Sequence, residues 1–220
     1  MGGTVPRIFV THPEHYGETY SGTGWHWQDV NESWTYDEQY VGRSIMAETY
    51  TNAEKICWFV NGDFVGESIP EEGIARIHTI YQKGTITAVA YQQGKEQVRY
   101  TLSTTGAASA IEVKAEQQKF AADYRDLCYF DISIIDSQGR LIEDAENEIC
   151  CTVMGGQLLG VYSGNPCNED QYTSDRCHVF KGRALAIVRT KESGVVRLKV
   201  FTDSLASGYA ESTAIEAVES

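Results

Sequence analysis

Residues 45–66 run Ile-Met-Ala-Glu-Thr-Tyr-Thr-Asn-Ala-Glu-Lys-Ile-Cys-Trp-Phe-Val-Asn-Gly-Asp-Phe-Val-Gly. The order reads as strand, short loop, strand, tight turn, strand. Asn61-Gly62 is the constraint. Both residues accept positive φ, and both neighbours are apolar runs, which together specify a two-residue hairpin.

The β pattern continues from Arg43 onward. Ile56, Trp58 and Val60 alternate with Cys57 and Phe59, as in a strand buried on both faces. Residues 74–80 predict another strand. Residues 85–91 and 97–102 flank Gln92-Gln93-Gly94-Lys95, a second hairpin signal. Further on, Ile111, Val113 and Ala115 alternate with charged residues. Cys128, Phe130, Ile132 and Ile134 share one face, and Asp136-Ser137-Gln138-Gly139 supplies a turn. Residues 148–153, 184–190, 195–201 and 209–217 predict four more strands. No stretch sustains a 3.6-residue period with caps. Short strands with turns every 8–12 residues predict β-sandwiches.

Small residues cluster at 104–109, and a domain boundary is expected there. The stretch before Arg43 differs from the rest: it is rich in aromatics and weak in alternation. The expected fold is all-β, with two immunoglobulin-like β-sandwiches in tandem after an irregular, aromatic-rich arm. The arm covers 1–42, the first sandwich 43–105 and the second 106–220.

Eighteen Lys and Arg against 31 Asp and Glu leave a net charge of −13. Such a chain repels phosphate backbones and anionic lipid, which argues against nucleic acid and membrane surfaces as partners. No apolar run approaches the length of a membrane span. Met1 to Pro6 lack the charged and apolar regions of a signal peptide. Of the six cysteines, Cys57 and Cys128 lie inside apolar strands, where free Cys acts as a small hydrophobe. Cys150 and Cys151 are adjacent and point to opposite faces of a strand. Cys167 and Cys177 flank a polar loop and are the only plausible disulfide pair. No C-x-x-C occurs, which argues against a metal site, and no glycine-rich phosphate loop implies a cofactor.

Several segments share their order with one family. Pro6-Arg7-Ile8-Phe9-Val10, with His12-Pro13-Glu14-His15-Tyr16-Gly17, resembles the exit from the catalytic barrel in bacterial glycoside hydrolases of family 2, β-galactosidase type. Trp25-His26-Trp27 and Ser33-Trp34-Thr35 are similar to the tryptophan-rich stretch that follows. Val60-Asn61-Gly62-Asp63-Phe64-Val65-Gly66 resembles the F-x-N-G-x-x-x-G hairpin of the next sandwich. Ile86-Thr87-Ala88-Val89-Ala90-Tyr91 with Gly94-Lys95-Glu96 resembles its closing hairpin. Gly139-Arg140-Leu141-Ile142 with Asp144-Ala145-Glu146-Asn147 resembles a turn of the terminal sandwich, and Leu159-Gly160-Val161, Gly164-Asn165-Pro166 and residues 180–188 its later motifs. Ser163-Gly164-Asn165-Pro166 departs from the family's Gly-Asn-Gly-Asp-Pro, and Asp63-Phe64 stands where Lys-Ser is frequent. The resemblance implies a parent enzyme that hydrolyses terminal β-galactosides with two glutamates in a barrel this chain lacks. No catalytic residue carries over, and the implied partner is that barrel.

The residues themselves offer few alternatives. A retaining glycosidase needs two carboxyl groups about 5 Å apart. Glu71-Glu72 and Glu143-Asp144 are adjacent acids, but both pairs lie in turn-like, solvated contexts. His12, Glu14 and His15 have metal-ligand chemistry, but Pro13 and Gly17 argue against the helix that would converge them; a packing cluster is expected. Tyr16, Tyr20, Trp25, Trp27 and Trp34 are the candidate contact residues. They have the apolar faces to stack on sugar rings, and equally the area to pack on the barrel. Packing is the expectation, a carbohydrate-binding module the alternative, and an adhesion or spacer unit a third reading.

Overall fold

The computed structural model describes residues 6–18 and 30–216. The chain divides into two compact units, Met1–Thr104 and Thr105–Ser220. Each is an immunoglobulin-like sandwich of two sheets. The helical segments among the described residues are single 3-10 turns at Pro13–His15 and Glu38–Tyr40. No helix among them is long and apolar enough to cross a membrane.

The first unit holds β1 (Ile8–Thr11), β2 (Val30–Asn31), β3 (Ser44–Tyr50), β4 (Lys55–Val60), β5 (Asp63–Ser68), β6 (Ile74–Ile80), β7 (Thr85–Gln92) and β8 (Lys95–Ser103). One sheet has the order β2-β1-β3-β6 and the other β5-β4-β7-β8. The Asn61-Gly62 hairpin forms as its residues require. Val60 pairs with Asp63, and the two turn residues take φ of 52° and 89°. Gln93 and Gly94 repeat the device between β7 and β8, with φ of 51° and 71°. Ile56, Trp58 and Val60 point into the core with Ile86, Ala88 and Ala90. The indole N–H of Trp58 donates to Ser68 Oγ at 2.8 Å, so its polar edge is satisfied inside. The opposite face of β4 is less covered than its apolar run predicts. Cys57 is buried but Phe59 is half-buried, meeting Phe64 edge-on with ring centroids 5.8 Å apart.

Part of the stretch expected as an irregular arm is strand. Ile8 and Val10 of β1 face Thr49 and Ala47 of β3, and both are fully buried. Alternation over only four residues is too short to stand out in a sequence, and pairing with β3 is what fixes it.

The second unit holds β9 (Ala108–Ala115), β10 (Lys119–Ala121), β11 (Cys128–Asp136), β12 (Glu148–Met154), β13 (Gln157–Tyr162), β14 (Arg176–His178), β15 (Arg183–Arg189), β16 (Gly194–Phe201) and β17 (Gly208–Ile215). Its sheets have the orders β10-β17-β16-β12-β14 and β13-β15-β11-β9. All pairs are antiparallel except β10 with β17. Cys128, Phe130, Ile132 and Ile134 line the inner face of β11, opposite Val196, Leu198 and Val200 of β16 in one core. Arg197 and Lys199 alternate outward. Burying each such apolar side chain contributes roughly 1.5–3 kcal/mol.

Candidate functional site

The aromatic residues singled out in the sequence meet different fates. Trp34 is 1% exposed, in the core of the first unit. Its indole N–H donates to the carbonyl of Gln82 at 2.9 Å, and its ring meets Tyr81 edge-on at 5.0 Å. The backbone carbonyl of Trp34 accepts from Thr104 Oγ1 at 2.8 Å. No face of this ring is open to a ligand. Tyr16 is 37% exposed; its hydroxyl hydrogen-bonds His78 Nδ1 at 3.2 Å, with the rings edge-to-face. Tyr20, Trp25 and Trp27 lie outside the described residues.

His12 and His15 join a ring cluster. The His12 imidazole meets Tyr36 and Tyr40 edge-on at 5.3 and 5.4 Å and His15 at 5.6 Å. Its Nδ1 accepts the backbone N–H of Glu14 at 3.3 Å, capping the 3-10 turn. Tyr81 continues the cluster to Tyr36, with centroids 5.3 Å apart. This is the packing arrangement of aromatic quadrupoles, edges on faces. Among the described residues, no group of three or more His, Cys, Asp or Glu is placed to hold a metal.

Two buried carboxylates were not legible beforehand. Glu48 is 1% exposed, although it points to the outward face of β3. Arg76 Nε donates to Oε2 at 2.9 Å and Tyr50 Oη to Oε1 at 2.7 Å. Burial, then the carboxylate beside it, pushes the Tyr50 phenol up to about 12. Phe9 closes over Tyr50, ring centroids 5.6 Å apart. Alternation marks Glu48 as solvent-facing, and only the β3–β6 register reveals its partner.

Asp136 in the second unit is 2% exposed. Its Oδ1 accepts the N–H groups of Gln138 and Arg140 at 2.8 and 2.9 Å. Its Oδ2 accepts the N–H of Gly106 and the Arg140 guanidinium, each at 2.8 Å. Burial by itself would raise this carboxyl. The donors from Gly106, Arg140 and Gln138 outweigh it and hold the group well below the usual carboxylate range. Each buried carboxylate is committed to a salt bridge and to further hydrogen-bond donors. Glu71, Glu72 and Asp144 are exposed, as their turn contexts predict. All six cysteines are free; Cys167 is exposed and Cys177 is buried. The pairing considered for these two is not formed, and β14 places Cys177 inward, opposite Ile149.

Comparison with known proteins adds the lineage. Residues 111–211 match the family described as Glycoside hydrolase family 2 C-terminal domain 5. Residues 42–98 match a domain of unknown function, DUF4982. A curated relative, Beta-galactosidase BoGH2A of Bacteroides ovatus, is 26% identical over 162 residues, covering 71% of this chain and 19% of the relative. A Putative beta-glucuronidase of Formosa agariphila is 26% identical over 180 residues, covering 77% of this chain and 17% of the relative. The chain therefore spans less than a fifth of either relative's length. A solved glycosyl hydrolase family 2 member from Bacteroides cellulosilyticus DSM 14838 superposes with a TM-score of 0.86 at 25% identity, over 95% of this chain and 28% of that one. A family 2 β-glucuronidase shares the fold at 18% identity, with a TM-score of 0.79 over 98% of this chain and 21% of that one. Residues 111–211 thus resemble domain 5 of the C-terminal region of glycoside hydrolase family 2, and the fold of the chain is similar to part of a solved member of that family.

Proposed function

We propose that this chain is a non-catalytic C-terminal region of a family 2 glycoside hydrolase that acts on terminal β-galactosides. Its role is to brace the catalytic barrel or to mediate assembly. The observation that carries this reading is the state of its carboxylates. A retaining enzyme needs one carboxyl protonated and another free to attack, about 5 Å apart. Here Glu48 and Asp136, buried in separate units, are each salt-bridged to an arginine instead of facing one another as a pair. The coverage of the relatives supports the same reading, because a chain under a fifth of their length leaves room for a barrel elsewhere. The partner proposed is that barrel. Trp34 as a core residue and Tyr16 tied to His78 favour packing over sugar stacking for the aromatic stretch. We propose the same role for Tyr20, Trp25 and Trp27.

The test is an assay of the 220-residue chain with chromogenic β-galactosides and β-glucuronides at high protein concentration. No turnover is expected. Turnover abolished by changing one carboxylate of this chain would overturn the proposal.

A further inference from the structure

One end of the β13–β15 pair gathers positive charge in a chain whose net charge is −13. The guanidinium carbon of Arg189 lies 3.8 Å from the centre of the Tyr124 ring, and Lys191 Nζ lies 4.6 Å from it. Two cations thus converge on one ring, where the quadrupole offsets part of their mutual repulsion. Neither has a carboxylate within salt-bridge distance among the described residues, whereas Arg76, Arg140 and Arg197 each have one. The nearby carboxylates of Asp123 and Asp126 accept backbone N–H groups of their own loop, at Arg125, Asp126, Leu127 and Ala121.

The hydrogen-bond directions around this pair are one-sided. Tyr124 Oη donates to Gln157 Oε1 at 2.6 Å, and Arg189 Nε donates to the same oxygen at 3.2 Å. Arginine can only donate, so the atom facing it is the amide oxygen. That leaves the Gln157 amide nitrogen without an acceptor among the described residues, next to the Arg189 side chain, with the Lys191 ammonium over the same Tyr124 ring. The acceptor is consumed internally and the donors are left over. Strand register fixes the group, since Gln157 pairs with Arg189. Tyr124 reaches it from a left-handed backbone, φ 65°, with its N–H held by Thr190 at 3.0 Å. A bulky residue in that conformation is strained and is kept by its surroundings.

The geometry points to a subsite for an oxyanion carried on a sugar, a carboxylate or a sulfate ester, read by Arg189, Lys191 and the Gln157 amide. That the oxyanion sits on a carbohydrate rests on the accessory-region reading above. The donors and charges rest on the geometry alone. Charge-assisted hydrogen bonds from a planar guanidinium suit both groups. The acidic remainder of the surface is screened beyond about 8–10 Å at physiological salt, so the local charge decides.

The test follows backbone amide shifts of the isotope-labelled 220-residue chain. It is titrated separately with a uronate oligosaccharide, a sulfated galacto-oligosaccharide, a neutral galacto-oligosaccharide and inorganic sulfate. Saturable shifts at Tyr124, Gln157 and residues 190–192 are expected with one or both charged sugars. They should weaken with salt and be absent with the neutral sugar. Lys191→Gln, at an exposed position, should lower affinity about tenfold with the fold unchanged. Whichever charged sugar binds identifies the oxyanion. No shift with either charged sugar, or equal shifts with the neutral one, overturns the site. Inorganic sulfate alone matching the charged sugars in affinity overturns the sugar assignment. Cleavage of chromogenic β-galactosides by the chain is a separate failure, of the accessory reading, and leaves the amide shifts to judge this site.

Discussion

Asn61 and Gly84 occupy adjoining space that admits no extra atom. A Cβ placed on Gly84 would lie 1.9 Å from Asn61 Oδ1. That same oxygen accepts the N–H of Thr85 at 2.7 Å, and Asn61 Nδ2 donates to the Lys83 carbonyl at 3.0 Å. The turn residue of one hairpin thus ties down the connection between β6 and β7. Gly84 also has φ +125°, which L side chains rarely adopt. Gly84→Ala is expected to lower stability by about 1–3 kcal/mol, read as a drop in the urea midpoint. Asn61→Gly keeps a turn-compatible backbone but loses both ties, and should cost about 1 kcal/mol. An unchanged midpoint in Gly84→Ala would show that the two residues do not meet.

Trp34 separates packing from ligand binding. If the ring is core, Trp34→Ala should cost about 3–5 kcal/mol. Trp34→Phe should cost less, yet leave the Gln82 carbonyl without its indole donor. Thermal or urea unfolding followed by circular dichroism measures both. A Trp34→Ala protein of native stability would put the ring at the surface instead.

Asp136 makes a pH-dependent contribution whose sign follows from its depressed pKa. A carboxyl lower in the folded than in the unfolded chain stabilises the fold above the unfolded value, about 3.9. That contribution fades as pH falls below it toward the lower folded value. The stability gap between the native chain and Asp136→Asn should therefore be level from about pH 5 to 7 and narrow below about pH 4. Arg140→Met should cost about 1–3 kcal/mol, the range for a hydrogen bond to a charged group. The exposed side of the arginine, at 38%, keeps the cost at the lower end. A gap that widens in acid would reverse the assignment.

The cysteines should divide by burial. Desolvation pushes the Cys151 and Cys177 thiols up to about 12, so little thiolate is present at neutral pH. Cys167 is exposed. Brief treatment of the native chain with iodoacetamide, read by peptide mass spectrometry, should label Cys167 first. Cys128, Cys151 and Cys177 should react only after unfolding. Early labelling of Cys177 would mean that β14 opens readily from the sheet.

Local chemistry made much of this fold legible from sequence. Asn61-Gly62 and Gly94 mark two hairpins, because Asn and Gly accept positive φ at little steric cost. Val196, Leu198 and Val200 declared the inner face of β16, because the side-chain period of a strand is two. The short strands were not legible. Ile8–Thr11, Lys119–Ala121 and Arg176–His178 hold too few residues for a period to show, and pairing with distant strands forms them. Nor could Trp34 be sorted between core and surface, since aromatic composition is the same in both.

The long-range polar and charged contacts were decided by tertiary structure alone. Glu48 meets Arg76, and Tyr124 meets Arg189 and Lys191, across many intervening residues. A sequence states which turns and faces a segment prefers, because those preferences act between neighbours along the chain. Which charges meet depends on strand order and register, and these emerge only when whole sheets close around a core.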